Sequence, residues 1–363
     1  MHHLIEPTDL RPEELKEIID LALDIIDNRE KYSEVCKGKK LATLFYEPST
    51  RTRLSFTSAM MELGGNVIGF SDAMSSSVSK GETVADTTRV INCFADIIAM
   101  RHSSEGAPLV SAMHSRTPVI NAGDGSHAHP TQTLTDLLTI KREIGRMDHI
   151  TIGFCGDLKF GRTVHSLIKA LSKFEGIKVV LIAPEELRLP GYMKHEVCDK
   201  LGVPYREVES LEEVIGELDV LYMTRVQKER FLDDEEYERV KDCFVLTAEK
   251  LKDAKESMRI LHPLPRVNEI SVDVDSDPRA AYFRQVENGK FVRMALMLKL
   301  LEWKDQPEHH RELLGADVIE SEHKCSNPRC ISNLEPAAVK RLFRPSADGN
   351  GIRCVYCESR PEK

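Results

Sequence analysis

Leu41-Ala42-Thr43-Leu44-Phe45 is followed by Tyr46-Glu47-Pro48-Ser49-Thr50-Arg51-Thr52-Arg53, and then by Phe56, Ala59, Met60 and Leu63 at helical spacing. The first five residues are almost wholly apolar, as a strand buried on both faces reads. The last set gives a helix one apolar face. Between them, hydroxyls, arginines and free backbone amides fall at a helix N-terminus just past a strand's C-terminal end, the ingredients of a phosphate site. The plain alternative is simple N-capping with solvated arginines.

The same alternation runs through the chain. Short apolar runs recur at 67–70, 97–100, 119–122, 150–154, 179–182, 220–223, 244–246 and 260–261, separated by longer amphipathic or polar segments. Helical spacers between buried strands predict parallel sheets, and 363 residues give room for two domains and a remainder. The expected fold is therefore α/β: two parallel-sheet domains with a cleft between them. Leu15, Ile18, Ile19, Ala22, Ile25 and Ile26 predict an opening amphipathic helix with Pro12 in its first turn. A helical pattern at 130–146 bridges the two domains, and the nearly all-apolar stretch 291–301 predicts a buried helix returning to the first. The expected boundaries are 1–132, completed by a returning helix at 289–304; 133–288; a polar linker at 305–322 with an apolar patch from Leu313 to Ile319; and a small module at 323–363.

Charge and cysteine both mark that last cut. The chain carries a formal charge of −9, yet 323–363 holds eight Lys and Arg against four Asp and Glu, so this segment is +4 and the preceding 322 residues −13. Acidity on that scale argues against whole-chain affinity for nucleic acid or anionic membrane. No stretch approaches the roughly 18 apolar residues of a spanning helix, and the polar start contains no signal core, so a cytoplasmic location is expected. Cys36, Cys93, Cys155, Cys198 and Cys243 are scattered, whereas Cys325, Cys330, Cys354 and Cys357 crowd the tail as C-x4-C-x23-C-x2-C. Two such pairs point to a structural zinc site, which a segment too small for its own core needs most.

Polar motifs also follow the other apolar runs: Arg101; Asn121, His127, His129 and Gln132; Gly156, Asp157, Lys159 and Arg162; Thr224, Arg225 and Gln227; and His262 to Arg266. Each alone is an ordinary loop residue. Together they concentrate cationic and hydrogen-bonding groups beyond strand ends, where open α/β sheets bind ligands, and favour small substrates bearing phosphate or carboxylates. Dinucleotide, P-loop and nucleophile-elbow patterns do not occur.

Several of these motifs carry a resemblance. P-S-T-R-T-R (48–53), S-K-G-E (79–82), R-H (101–102) and H-P-T-Q (129–132) resemble the carbamoyltransferase family. G-D-L-K-F-G-R-T-V-H-S (156–166), T-R-V-Q (224–227) and H-P-L-P-R (262–266) narrow it to the aspartate-using members, since ornithine-type relatives carry a cysteine-containing loop at the last position. The resemblance covers roughly residues 1–305. It implies transfer of a carbamoyl group from carbamoyl phosphate to the α-amine of L-aspartate, an early step of pyrimidine synthesis, by direct attack and with no catalytic cofactor. It makes 1–132 the carbamoyl-phosphate domain and 133–288 the aspartate domain.

Carried over by position, the resemblance implies that Ser49, Thr50, Arg51, Thr52 and Arg101 bind the phosphate. Thr52, Arg101 and His129 polarise the carbamoyl oxygen, an electrostatic task. Gln132 and the carbonyls of Pro263 and Leu264 hold the carbamoyl amino group. Arg162, Arg225 and Gln227 grip the aspartate carboxylates, which suits bidentate guanidinium geometry. A neighbouring subunit supplies a serine from the run 75–77, taken as Ser77, and Lys80, so active sites are shared within a homotrimer.

The cysteine segment resembles the zinc domain of the separate aspartate carbamoyltransferase regulatory chain, including Cys354-Val355-Tyr356-Cys357-Glu358. There is no room between Trp303 and His323 for the nucleotide-binding domain of such chains, so the resemblance does not extend to effector control by ATP or CTP. The basic tail is expected to dock on an acidic catalytic surface, in cis or in trans, and to reinforce assembly. Two rival readings remain at this point: a carbamoyltransferase with another amine acceptor, and a zinc-ribbon nucleic-acid binder with an inactive body. The −13 body and the lack of interleaved aromatics in the tail oppose the second.

Overall fold

A computed structural model of the chain describes residues 2–72, 77–226, 235, 238–239, 244–346 and 349–362. It divides into two compact units, residues 1–131 with 289–363 and residues 132–288.

The first unit is built on a four-stranded sheet in the order β2-β1-β3-β4, with β1 Lys40–Phe45, β2 Asn66–Phe70, β3 Ile97–His102 and β4 Val119–Asp124. All three pairings are parallel. β1 and β4 are buried almost throughout, which is why their sequences are near-continuous apolar runs. The helix Thr50–Glu62 turns Phe56, Ala59 and Met60 inward, as their spacing requires. Chain return comes through the helix Tyr282–Trp303, whose Phe291, Met294, Ala295, Leu296 and Met297 are buried.

The opening helix spans Pro12–Asp27. Its Glu14 is buried and takes hydrogen bonds from the Arg11 backbone N–H (2.8 Å), Arg11 Nη2 (2.9 Å), Arg311 Nη2 (2.5 Å) and His309 Nδ1 (2.7 Å). Burial, the largest influence, pushes its carboxyl up, and these donors reverse that and bring it to about 2. His309 stacks on Trp303 with ring centroids 4.6 Å apart. His2, Glu14 and His309 lie close enough to share a cation. The carboxylate, however, is already ringed by two guanidiniums, so the cluster reads as a latch for the segment after Trp303, not as a metal site.

The four-cysteine segment belongs to this unit. Its three-stranded sheet runs β10-β11-β12, from Ile319–Glu320, Leu342–Pro345 and Ile352–Cys354, in antiparallel pairing. Ile319–Glu320, read from sequence as linker, is thus the first strand. Ile331, Val339, Phe343, Val355 and Tyr356 join Val84, Ala85, Ala107, Leu109 and Val110 in a single hydrophobic cluster, with Leu313 and Leu314 packed against it. The segment therefore docks in cis. The expected basic-on-acidic contact is not what holds it, because among the described residues no ion pair joins 323–363 to the sheet domain. Shared apolar core and hydrogen bonds do that work, at roughly 25 cal/mol per Å² of apolar surface removed from water.

The second unit carries a five-stranded sheet, β7-β6-β5-β8-β9, from β5 Thr151–Cys155, β6 Lys178–Ile182, β7 Tyr205–Val208, β8 Val220–Met223 and β9 Arg259–Leu261, again wholly parallel. The run 244–246 forms no strand; Leu246 makes one isolated bridge to Ile270. β7 takes the remaining edge, and its Tyr205 and Arg206 are exposed, so it lacks the apolar signature. Among the described residues, no helix is long and apolar enough to cross a membrane.

Candidate active site

In the first unit, Ser49 is the N-cap residue of the helix Thr50–Glu62, yet its side chain makes no capping hydrogen bond. The capping alternative therefore fails locally, and the first-turn amides keep the anion-binding character of an open helix N-terminus. Thr52 is buried here and Arg51 exposed. Arg101 lies on the neighbouring strand, paired with Phe45, and its backbone carbonyl accepts from Tyr46 N–H at 2.8 Å, beside the loop that leads to Ser49.

The β3–β4 register shifts between Met100 and His102, where two steps along β3 face three along β4. Such a bulge re-aims the side chain beside it. Arg101 Nη1 reaches the Ala122 carbonyl at 3.3 Å, and Nη2 lies 3.5 Å from Glu47 Oε1. Its Nε is buried without a hydrogen-bond partner among the described residues. Burial lowers the Arg101 pKa below its ordinary value; Arg51, exposed at its outer edge, is lowered by partial desolvation of its guanidinium and then by the charge of Arg101. The two guanidiniums thus lie close enough to sense each other's charge, and one keeps a buried donor with no partner among the described residues.

Gly123 makes the approach possible. Its φ is +117°, and a Cβ there would lie 2.9 Å from Arg101 Nη1 and 3.4 Å from His129 Cδ2. His129 is buried, with Nδ1 3.5 Å from Thr131 Oγ1. Arg293 of the returning helix donates to Ser55 Oγ (3.0 Å) and Thr131 Oγ1 (3.2 Å), tying the phosphate-type helix to the segment after His129.

Asn121 and His127, grouped with the candidates in sequence, are turned inward instead. Asn121 Nδ2 donates to Asp124 Oδ1 (2.9 Å) and its Oδ1 accepts from Gly123 N–H (2.8 Å). His127 sits between Asp124 and Glu6, each at 3.0 Å. Burial alone would lower the pKa of His127, but the Glu6 and Asp124 carboxylates hold it well above its ordinary value.

In the second unit, a Cβ on Gly156 (φ +114°) would strike the Thr224 carbonyl at 2.5 Å, so the chain ends leaving β5 and β8 press together. Thr224 Oγ1 adds a hydrogen bond to Cys155 O at 3.0 Å. Arg162, first residue of the helix Arg162–Leu171, and Arg225 follow these two strand ends and are both half-buried. Gln227 lies outside the described residues.

Asp136 organises the remaining groups. Its Oδ1 accepts from Gln132 Nε2 (2.7 Å) and Gln285 Nε2 (2.6 Å), and its Oδ2 from Tyr222 OH (3.0 Å). Gln285 Oε1 in turn accepts from His262 N–H at 2.9 Å. His262 is buried between Glu269, 2.7 Å from Nε2, and Leu264 N–H, 2.8 Å from Nδ1. It fixes the turn whose Pro263 and Leu264 carbonyls the sequence singled out. Because a carboxylate only accepts, Asp136 takes the Gln132 amino group and leaves Gln132 Oε1 to face a donor elsewhere.

Ser77 and Lys80 occupy the exposed turn Ser77–Lys80. Among the described residues no hydrogen bond or ion pair joins Lys80 to the Ser49–Arg53 segment or to Arg101. Ser75 and Ser76 lie outside the described residues.

The four tail sulfurs are buried and all within 4.8 Å of one another. Cys325 and Cys357 Sγ are 3.4 Å apart, Cys330 and Cys354 Sγ 3.6 Å. Ligand bonds of about 2.3 Å in a tetrahedron imply sulfur separations of roughly 3.8 Å, so the set fits one metal ion. Hydrogen bonding among the sulfurs, led by the Cys325–Cys330 contact, pushes the Cys325 thiol up and Cys330 down. Cysteine binds a metal as the thiolate, so ligation here would release whatever thiol protons the four carry.

The chain is similar to known proteins over most of its length. Residues 2–142 match the aspartate/ornithine carbamoyltransferase carbamoyl-P binding domain, 148–300 the Asp/Orn binding domain, and 317–363 the metal binding domain of the aspartate carbamoyltransferase regulatory chain. The aspartate carbamoyltransferase catalytic subunit of Lachnoclostridium phytofermentans is 64% identical over 301 residues, 83% of this chain and 98% of its own. That of Clostridium acetobutylicum is 62% identical over 82% of this chain and 97% of its own. Among solved structures, the catalytic subunit of M. jannaschii aspartate transcarbamoylase superposes with a TM-score of 0.78 at 50% identity, covering 83% of this chain and 98% of its own. The Trypanosoma cruzi enzyme in complex with N-(phosphonacetyl)-L-aspartic acid gives 0.77 at 39% identity, covering 81% and 94%. With both catalytic domains and a regulatory-chain metal-binding domain on one polypeptide, the chain belongs to the aspartate carbamoyltransferase family.

Proposed function

We propose that the chain transfers the carbamoyl group of carbamoyl phosphate to the α-amine of L-aspartate, releasing phosphate, with the residue roles that follow. The first-turn amides and side chains of Ser49, Thr50, Arg51 and Thr52, with Arg101, bind the phosphate. Thr52, Arg101 and His129 stabilise the carbamoyl oxygen as it gains charge during attack by the amine. Preorganised donors of this kind are worth about 2.7–4 kcal/mol each when removed singly. Gln132 Oε1 and the Pro263 and Leu264 carbonyls accept from the carbamoyl amino group, and the bond from Gln132 to Asp136 leaves that acceptor outward. Arg162, Arg225 and Gln227 hold the aspartate carboxylates.

Lys80 and Ser77 act on a neighbouring subunit's site within a homotrimer. An exposed turn with no hydrogen bond or ion pair to its own Arg101 among the described residues supports this. The metal at Cys325, Cys330, Cys354 and Cys357 is a structural zinc ion, and the enzyme acts in the cytoplasm. The working division is a carbamoyl-phosphate domain at 1–132 completed by 289–304, an aspartate domain at 133–288, a linker from 305 and the zinc module to 363.

The observation that carries the reading is the largely buried Arg101 guanidinium with an orphaned Nε beside an uncapped helix. Glu47 and the Ala122 carbonyl offset its desolvation only in part, and an anion would complete the compensation. The test is formation of N-carbamoyl-L-aspartate by the purified chain, with ornithine as competing acceptor. Arg51→Ala is expected to abolish turnover while leaving the fold intact. Near-normal turnover in that variant, or preference for ornithine, overturns the reading.

A further inference from the structure

A chain of forced hydrogen-bond polarities runs through the second unit and ends at Gln132. His262 follows β9, and its backbone N–H can only donate; it meets Gln285 Oε1 at 2.9 Å, on the helix Tyr282–Trp303. An amide whose oxygen is taken in this way presents its nitrogen to the other side. That Nε2 meets Asp136 Oδ1 at 2.6 Å. Asp136 and Gln132 lie four residues apart on the helix Pro130–Ile144 and so share a face, and Gln132 Nε2 reaches the same oxygen at 2.7 Å. The other oxygen, Oδ2, accepts from Tyr222 OH at 3.0 Å, and that hydroxyl is also hydrogen-bonded to Thr163, next to Arg162. Both oxygens of a fully buried carboxylate are thus committed to donors.

The consequence is directional. With its Nε2 held by a group that only accepts, Gln132 keeps its Oε1 for whatever lies beyond, and the two ends cannot exchange while residue 136 is a carboxylate. The far end of the chain bears on the turn after His262. His262 Nδ1 accepts from Leu264 N–H at 2.8 Å, which leaves Nε2 as the donor to Glu269 at 2.7 Å. Leu264 sits at φ +53°, a sparsely populated conformation for a residue with a side chain, kept where the surroundings over-determine it. Asp136 therefore fixes the polarity of Gln132 and, through Gln285, braces the turn that carries the Pro263 and Leu264 carbonyls.

We propose that Asp136 is the positioning residue that makes this site choose a carbamoyl over an acyl group, by holding Gln132 with its oxygen outward. The inference rests on the reading of Gln132, Pro263 and Leu264 as acceptors for the carbamoyl amino group and names what sets their specificity. Acetyl phosphate carries a methyl group where carbamoyl phosphate carries the amino group, on the same phosphate. Oriented acceptors gain hydrogen bonds from the amino group and are left unpaired against the methyl, which is how a hydrogen-bonding site rejects an analogue that lacks the donor. Asp136 does not touch the substrate; it acts through Gln132 and Gln285.

The test uses the purified full-length chain in its native assembly. For each variant, kcat/KM for carbamoyl phosphate at fixed L-aspartate is set beside the inhibition constant of acetyl phosphate. Asp136→Ala is expected to lower kcat/KM roughly 10- to 100-fold while inhibition by acetyl phosphate stays within about threefold of the parent. Asp136→Asn, which keeps an oxygen toward the two glutamines and turns its amino group to Tyr222 OH, is expected to recover most of that loss. Asp136→Asn combined with Gln285→Glu keeps the formal charge and the number of hydrogen bonds, but the group facing Gln132 must now donate. Gln132 then turns its oxygen inward and sets its amino group against that of the substrate. The same loss of roughly 10- to 100-fold is expected, in a chain whose unfolding midpoint stays near the parent's, so the test holds even where Asp136→Ala does not fold.

Gln132→Ala gives the reference for loss of the acceptor. If Gln132→Ala impairs carbamoyl phosphate selectively while the Asp136→Ala and paired variants do not, or weaken both phosphates alike, the positioning role is overturned and the acceptor reading stands. If Gln132→Ala leaves kcat/KM for carbamoyl phosphate unchanged, or weakens both phosphates alike, the acceptor reading falls and the positioning role with it.

Discussion

Replacing Gly123 with alanine tests whether the half-site depends on how closely Arg101 and His129 approach the β4 backbone. A Cβ at Gly123 would lie 2.9 Å from Arg101 Nη1. Non-bonded heavy atoms settle near about 3.5–4.0 Å, so the guanidinium must withdraw by roughly 0.5–1 Å. Its hydrogen bond to the Ala122 carbonyl, already 3.3 Å, does not survive that shift. Misplacement of about 1 Å in a preorganised site costs up to 10²-fold in rate, so kcat is expected to fall roughly 10- to 100-fold. Backbone strain at this φ adds a stability loss of about 1–3 kcal/mol, seen as a lower midpoint in urea. Gly38→Ala is the control, because Gly38 has φ +81° and a Cβ there would meet nothing within 4 Å: it carries strain without displacement. Carbamoyl-aspartate formation is followed across carbamoyl phosphate concentrations for both variants. If Gly123→Ala keeps full turnover, or Gly38→Ala loses as much, the close approach is not what organises the site.

Mixing two inactive chains, Lys80→Ala and Arg51→Ala, is expected to restore part of the activity, because a hybrid interface holds one intact set of groups; no recovery after verified subunit exchange counts against shared sites. Glu14→Gln is expected to destabilise the first unit by about 1–3 kcal/mol, since the neutral amide cannot satisfy Arg11, His309 and Arg311 together, and an unchanged unfolding midpoint would show the latch to be idle. His3 and His102 are held neutral by burial, at about 3 and about 4, against an ordinary 6.5. The unfolded chain binds those protons first, so stability should be fully present above pH 6.5 and fall as pH drops from there toward the folded values, at about 1.4 kcal/mol per pH unit per group. A flat profile from pH 6.5 to 4.5 in denaturant titrations would refute it, and His102→Asn should reduce the slope.

The interior strands were legible because strands covered on both faces must be apolar, as at 41–45 and 220–223. The edge strand Tyr205–Val208 was not, since half of it faces solvent, and Phe244–Leu246 misled because an apolar run packs equally well as buried coil. Arg51, Thr52, Arg101 and His129 could be picked out by chemical type and position after strands. Their supports could not. Gly123 matters through a close approach and Arg293 through hydrogen bonds 238 residues away in sequence at Ser55. Asn121, His127 and His262 share the residue types of a site, and only their inward hydrogen bonds reveal that they brace the frame.

The first unit is closed by the chain's later residues: Arg293 and its helix come back to Ser55 and Thr131, and Tyr356 seals the surface around Gly106. During synthesis, the strands from Lys40 to Asp124 emerge from the ribosome long before these closing pieces exist. At roughly 5–20 residues per second the nascent lobe waits on the order of ten seconds or more with Ala107, Leu109 and Val110 unsheltered, and is the part of the molecule for which a chaperone has most to offer.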